Sequence, residues 1–231
     1  MTLLPRRKNA SADCRKYNQQ HFPMMTNHQI SFTKVLISMR EHILETAAGL
    51  FYREGLRSVG VDRIIADAGI AKATLYRHFA TKEQLIVVYL KSRHDITLAA
   101  MSAAIHKAGT DPVQRVCALY DWLYTRANAE FRGCAFLLAV AEHGDAEAVR
   151  EVVREHKDAV RLMFEAALEG VRKPVLQELP EQLALLYDGA LATIMVRRRP
   201  DAARLARKSA CLLMELYLAA PKKRAVRSAV A

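Results

Sequence analysis

The stretch Val61–Leu85, VDRIIADAGIAKATLYRHFATKEQL, decides the fold of this chain. It divides into three helical pieces. In the first, Val61, Ile64, Ile65 and Ala68 recur at three- and four-residue intervals and form one apolar face. Gly69 follows directly, and a glycine there takes the left-handed backbone that ends a helix tightly. Ile70 plugs the turn. A second piece, Ala71 to Phe79, sets Leu75 and Phe79 four apart on one side and leaves Lys72, Ala73, Thr74, Arg77 and His78 off it. The third opens on Thr81-x-x-Gln84, a capping box whose hydroxyl and amide satisfy backbone N–H groups orphaned at a helix start.

Two short helices about a glycine turn, the second with an uncommitted face of small, polar and basic side chains, describe a DNA-reading helix-turn-helix. Small residues matter because the helix backbone has to sink into the major groove. Any three-helix cluster has turns of this kind, so the bare pattern also fits a purely structural cluster. The wording of the stretch goes further. AGIAKATLYRHFATKEQL, with ILETAAGLFYREG upstream, closely resembles the tetracycline-repressor (TetR/AcrR) family of transcriptional regulators. Ala68, Gly69, Thr74, Leu75, Tyr76, His78, Phe79, Lys82, Glu83 and Leu85 fall on the family's pattern, and the resemblance runs from Lys34 to about His94. One departure stands out: the family usually has Ser or Thr where Ala71 stands, and losing such a cap costs about 1 kcal/mol. Gly60, where a hydroxyl is also usual, is a tolerated cap.

Roles on DNA follow from position. Lys72 and Arg77 are expected to read guanine edges, while Ala71, Ala73 and Thr74 suit close approach, Ala73 and Thr74 to thymine methyl groups. The resemblance assigns Tyr76 and Lys82 to phosphate contacts, and Lys82 also stands at a helix N-terminus, where the dipole attracts phosphate. Arg63 and Ser58 are flanking phosphate candidates. His78 is left open between a base contact and a polar rim residue.

Charge supports a DNA-reading head on a neutral body. Of the net +11, residues 1–33 hold +4, residues 34–94 hold +4, residues 95–220 hold −1 and the tail from Pro221 holds +4. Phosphate neutralisation supplies most non-specific DNA affinity, so a basic excess in the motif region and both tails beside a neutral body is what such a head requires. Cys14, Cys117, Cys134 and Cys211 are scattered, with no C-x-x-C and no histidine at ligand spacing, which argues against a disulfide framework or structural zinc. Reduced, buried thiols, no metal and no cofactor are expected. With no segment long enough to span a bilayer and no apolar leader near the start, a cytoplasmic protein with no membrane contact is expected.

Along the chain, residues 1–32 read as a disordered basic arm, 33–96 as the helix-turn-helix domain, 97–220 as a ligand-sensing and dimerisation domain, and 221–231 as a disordered basic tail. A first helix from about Thr33 to Glu54 backs the motif, and a long helix from the Thr81 cap to about Lys107 leaves the head. Asp111-Pro112 starts the next helix. CAFLLAVAE, Cys134 to Glu142, is almost wholly apolar and is expected to be buried, after which Asp145 caps a long helix. Pro174 and Pro180 bound a linker before two final helices, about Pro180–Arg198 and Asp201–Ala219. No strand pattern appears, and an all-α fold of about nine helices is expected.

GCAFLLAVAE, VREVVREHKDAVRLMFEAAL and LALLYDGALATIMV also resemble the regulatory domain of one TetR subgroup, although Arg197-Arg198-Arg199 departs from the turn more usual there. The resemblance implies a small-molecule effector held between helices, with Trp122, Phe136, His143, Met163, Phe164 and Tyr187 as candidate lining residues. Each of them is equally well read as ordinary core. A single helix-turn-helix makes few base contacts, and pairing two heads on a palindrome doubles them. The last two helices are therefore expected to form a homodimer through Leu183, Leu186, Ala190, Ile194, Leu205, Leu212, Leu213 and Leu216. The function expected is a ligand-released repressor of double-stranded DNA. The alternatives are a metal- or redox-responsive regulator of the same fold and a helical enzyme, although H-E-x-x-H, G-x-S-x-G and a Gly-rich phosphate loop are all missing.

Overall fold

The computed structural model describes residues 27–128, 130–172 and 177–219, with side chains from residue 39 onward. The arm up to residue 26, Pro174 and the tail from residue 220 lie outside the described residues. Among those described there are nine helices and no strand: α1 (Asn27–Glu54), α2 (Val61–Ala68), α3 (Lys72–His78), α4 (Lys82–Lys107), α5 (Pro112–Arg126), α6 (Ala135–His143), α7 (Glu147–Ala167), α8 (Leu179–Arg197) and α9 (Asp201–Ala219). Residues 27–32, expected in the arm, are helical. The chain divides into two compact units, Met1–Ile43 and Leu44–Ala231, and everything below concerns the second.

The head is built as its turn residues dictate. Gly55 leaves α1 with φ 94°, its N–H donating to Phe51 O at 3.0 Å. Gly69 ends α2 at φ 63°, ψ 35°, and the next N–H, from Ile70, reaches back to Ile65 O at 3.2 Å. Thr81 Oγ1 accepts from Gln84 N at 3.0 Å, while Gln84 Oε1 accepts from Ala80 N at 2.7 Å, so the capping box closes one residue early. Ala71 and Gly60 begin their helices with no side-chain cap. Leu50, Phe51, Leu56, Val59, Ile64, Leu75, Phe79, Leu85, Ile86 and Leu90 are buried, and the Phe51 ring lies 5.6 Å from that of Tyr89.

In the body, α4 packs on α5 and α7, α6 lies on α7, α8 lies on α7, and α9 packs on both α8 and α5. Asp111 caps α5 by accepting from Val113 N (3.3 Å) and Gln114 N (3.4 Å). The core centres on Tyr120, Phe164 and Tyr187, whose rings meet pairwise at 5.6–6.0 Å, and Tyr120 Oη donates to Leu183 O at 2.7 Å. That bond satisfies a phenol which burial holds well above its ordinary pKa.

Two expectations change here. Ala146, not Asp145, begins α7, without a side-chain cap; Glu147 in its first turn instead pairs with Arg150 and Arg154. α6 is only half-buried, because the apolar Leu137 and Val140 face outward while Phe136 and Ala139 face in. Pro180 sits in the first turn of α8, one residue after the helix start. In α9 the inward face is Ala202, Ala203, Ala206, Ala210 and Met214, and Leu205, Leu212 and Leu216, expected on a dimer surface, point away from the core. Alanine there allows α8 and α5 to approach closely, where larger side chains would hold them apart. α8 ends on Arg198 in the left-handed region (φ 53°), a strained setting for a residue with a Cβ. Its guanidinium donates to Phe131 O at 2.7 Å, a contact that a glycine cannot make.

Candidate nucleic-acid interface and regulatory cavity

The exposed side of α3 is the side the pattern left free. Leu75 and Phe79 are 1% and 0% exposed, while Ala71, Lys72, Ala73, Tyr76 and Arg77 are exposed and Thr74 is half-buried. Lys72 Nζ lies 3.6 Å from the Asp62 carboxylate and Arg77 donates to Thr74 Oγ1 at 3.3 Å. Exposed contacts of this kind contribute about 0–1 kcal/mol and yield readily to a phosphate or a base.

Four other expected residues are more committed. Arg63 is braced by Asp67 (2.9 Å) and Glu54 (3.5 Å), and the Asp67 hydrogen bond raises its already high pKa. Ser58 Oγ donates to Glu54 O and to Gly55 O, which spends its proton inside the protein. His78 Nε2 is buried with no hydrogen-bond partner, which places that edge of the ring against protein. Lys82 is half-buried, donates to Arg57 O at 3.5 Å, and has its pKa lowered by burial, with the Glu142 carboxylate opposing.

Glu142, at the end of α6, makes a contact with the head that its place in the sequence does not signal. Its carboxylate accepts from Arg57 N at 2.7 Å and its carbonyl from the Arg57 guanidinium at 2.8 Å. A Cβ on Gly55 would stand 3.1 Å from the same carboxylate. The turn between α1 and α2 is thereby tied to α6 of the body by residues 85 apart, a separation that no local pattern signals.

A cavity of about 260 Å³ opens in the body between α4, α5, α6, α7 and α8. Of the six candidate lining residues, Trp122, Phe136 and Tyr187 line it; His143, Met163 and Phe164 do not. Phe164 is fully buried in the core and Met163 packs against that core from outside, because successive residues of α7 face different neighbours. The wall also carries Arg93, Arg126, Glu130, His156, Lys157 and Asp188. His156 is 4% exposed and stacks on Phe136 at 3.4 Å, and its Nδ1 has no partner. Burial, then His94, Lys157 and Arg93, lower its pKa to about 3, so the ring is neutral. Its signal in the sequence was a lone polar residue within the apolar stripe of α7.

The expected dimer face divides in two. Leu183, Ala190 and Ile194 are buried within this chain's own core, as helical geometry turns those positions of α8 toward α5 and α9. Leu205, Leu212 and Leu216 are 64%, 61% and 69% exposed, Leu186 and Leu213 are half-buried, and Leu185 and Val196 join the outward face. Cys117 and Cys211, far apart in the sequence, come together as free thiols with their Sγ atoms 2.9 Å apart, and burial first, then Cys211, raises the Cys117 thiol to about 12.

A sequence profile of the bacterial regulatory proteins of the tetR family matches residues 43–88. The transcriptional repressor KstR2 of Mycobacterium tuberculosis is 36% identical over 83 residues, 36% of this chain and 41% of that protein. The transcriptional activator FasR of Mycolicibacterium smegmatis is 28% identical over 94 residues, 41% of this chain and 42% of that protein. The aligned part thus spans less than half the length of these curated relatives. The similarity to the crystal structure of SCO4454, a TetR-family transcriptional regulator from Streptomyces coelicolor, is far longer. That chain is 33% identical with a TM-score of 0.67, and the match covers 78% of this chain and 94% of the other. With the helix-turn-helix and the helical body both matched over that length, the chain belongs to the TetR family of bacterial regulatory proteins.

Proposed function

We propose that this protein is a transcriptional repressor that binds a palindromic DNA operator as a homodimer and leaves it when a small molecule occupies the cavity of the body. The single observation behind the DNA-binding part is the side of α3 bearing Lys72, Ala73, Tyr76 and Arg77, exposed opposite a fully buried Leu75 and Phe79. An amphipathic helix on a monomer has no need for a face of small and cationic residues beside a glycine turn; a major groove does. The homodimer reading is supported by the apolar outward face of α8 and α9, since exposed leucines in a contiguous patch mark an interaction surface. The division of labour, residues 33–96 on DNA and 97–220 on ligand and partner, follows from the same placement. Release is a population shift: the ligand favours a spacing of the two heads that misses successive grooves. Glu142 offers the coupling, because α6 lines the cavity with Phe136 and grips Arg57 of the head at its other end.

Genomic footprinting with the purified protein tests the reading, with salt titrations on the site recovered. Lys82→Ala is expected to weaken binding to all sequences and to lower the salt slope by roughly one unit. A loss confined to one operator would mean that Lys82 reads sequence, and indifference to every duplex at low salt would remove the DNA-binding reading altogether. Family membership removes the helical-enzyme alternative.

The redox-responsive alternative has one observation in its favour, the Cys117–Cys211 pair joining α5 to α9. Peroxide would convert the half-exposed Cys211 to its sulfenic acid, and the Cys117 thiol would then form the disulfide with loss of water. A mass loss of two hydrogens on peroxide treatment, together with altered operator affinity and absent from Cys117→Ser, would favour it. Unchanged affinity in the oxidised protein excludes it.

A further inference from the structure

We propose that the occupant of the cavity is a small monoanion with an apolar, ring-sized body, a carboxylate on an aromatic or short aliphatic frame. This rests on reading the cavity as the effector site. Size comes first. At about 260 Å³ the space falls just under the roughly 300–1,000 Å³ typical of drug-sized ligands, which leaves room for a compact molecule only. The walls define its body: Trp122, Leu123, Phe136, Val160 and Leu191 present apolar surface, so a fully polar solute would lose its water there without replacement.

Charge defines the head group. Three cations, Arg93, Arg126 and Lys157, face two carboxylates, Glu130 and Asp188. Lys157 and Asp188 answer each other at 2.6 Å. That leaves two guanidinium groups against Glu130. Arg93 is engaged through its face, lying 5.1 Å from the centre of the Tyr52 ring, which keeps its N–H edges available. Arg126, exposed at the rim, forms no ion pair among the described residues. A guanidinium presents its donors as a planar fork that matches a carboxylate, whereas a cationic ligand would meet two like charges. His156 lines the cavity, is 4% exposed, and its Nδ1 is buried without a partner. A buried polar atom left unmatched in this way is a place for a ligand's hydrogen-bonding substituent.

Calorimetric titration of the full chain with benzoate, phenylacetate, 3-phenylpropionate and hexanoate, each beside its primary amide and its amine, tests the proposal. At least one acid is expected to bind, and more tightly than its amide by about tenfold or more, the scale of a charge-assisted hydrogen bond. Arg126→Gln should bring acid and amide to parity, and Arg126→Lys should restore part of the preference, since the charge returns without the fork. An amide or amine that binds as tightly as its acid overturns the proposal, and so does the absence of binding by every acid. Footprinting the same preparation on genomic DNA keeps the two readings apart. Sequence-specific DNA binding without an acid preference sinks the ligand class alone, whereas acid binding by a protein indifferent to DNA sinks the regulator reading alone.

Discussion

The recognition helix and the last helix of the body answer the same pattern in opposite ways. In α3 the apolar residues Leu75 and Phe79 turn inward and the small and polar ones turn out. In α9 the leucines at 205, 212 and 216 turn outward, and the alanines at 202, 203, 206 and 210 turn in. The difference is one of neighbours. α3 has one apolar neighbourhood, the head's interior, so hydrophobicity alone orients it. α9 lies between α8 and α5 on one side and, in the proposed dimer, a second copy on the other. With apolar surroundings on both sides, side-chain size takes over: alanine goes where two helices must come close, and leucine goes where there is room.

The comparison breaks first at the head if it is wrong. Phe79→Ala is expected to destabilise the protein by about 3–5 kcal/mol in urea unfolding, as for other large aromatic truncations in a closed core. A loss under about 1 kcal/mol would mean that the head's interior is not sealed on that side. At the other end, Ala210→Leu should destabilise by about 1–3 kcal/mol through overpacking, although it adds apolar surface. Leu216→Ala should leave the stability of the monomer within about 0.5 kcal/mol while weakening self-association measured by sedimentation. The reverse ranking would restore the leucine face to the core.

Acid sensitivity should lie in the body. His156 has a pKa of about 3 in the fold, against about 6.5 when unfolded, so the folded form holds it neutral. The unfolded chain takes up a proton as pH falls below about 6.5 while the native protein does not. This contribution is therefore complete above about pH 6.5 and shrinks as pH drops toward about 3. The difference in unfolding free energy between the wild type and His156→Phe should change by about 1.4 kcal/mol per pH unit between about pH 6 and about pH 4, and no change would mean that water reaches the ring. The smallest effect belongs to α3: Ala71→Ser should stabilise by about 0.5–1 kcal/mol by supplying the missing cap, if the helix start keeps its extended Ala71 backbone.

Much of the head was legible because its cues are local. Gly55, Gly69 and Thr81 each act within five residues, and the exposed face of α3 follows from the spacing of Leu75 and Phe79 alone. The places where legibility failed are those decided at long range. Glu142 and Arg57, Cys117 and Cys211, and Lys157 and Asp188 meet across 85, 94 and 31 residues, and nothing near any of them in the chain announces its partner. The cavity repeats the lesson: Trp122, Phe136 and Tyr187 reach it while Met163 and Phe164 do not, because which face of α7 meets the space depends on how α4, α5 and α8 are set around it.

By itself the sequence determined the helices, the turn chemistry of the head and the exposed face of α3, because backbone sterics, capping and a period of 3.6 act between near neighbours. Only the tertiary structure decided which side of α9 is interior, which residues wall the cavity, and that α6 holds the head through Glu142. Those depend on close packing and charge pairing between segments whose distance in the chain carries no information about their distance in space.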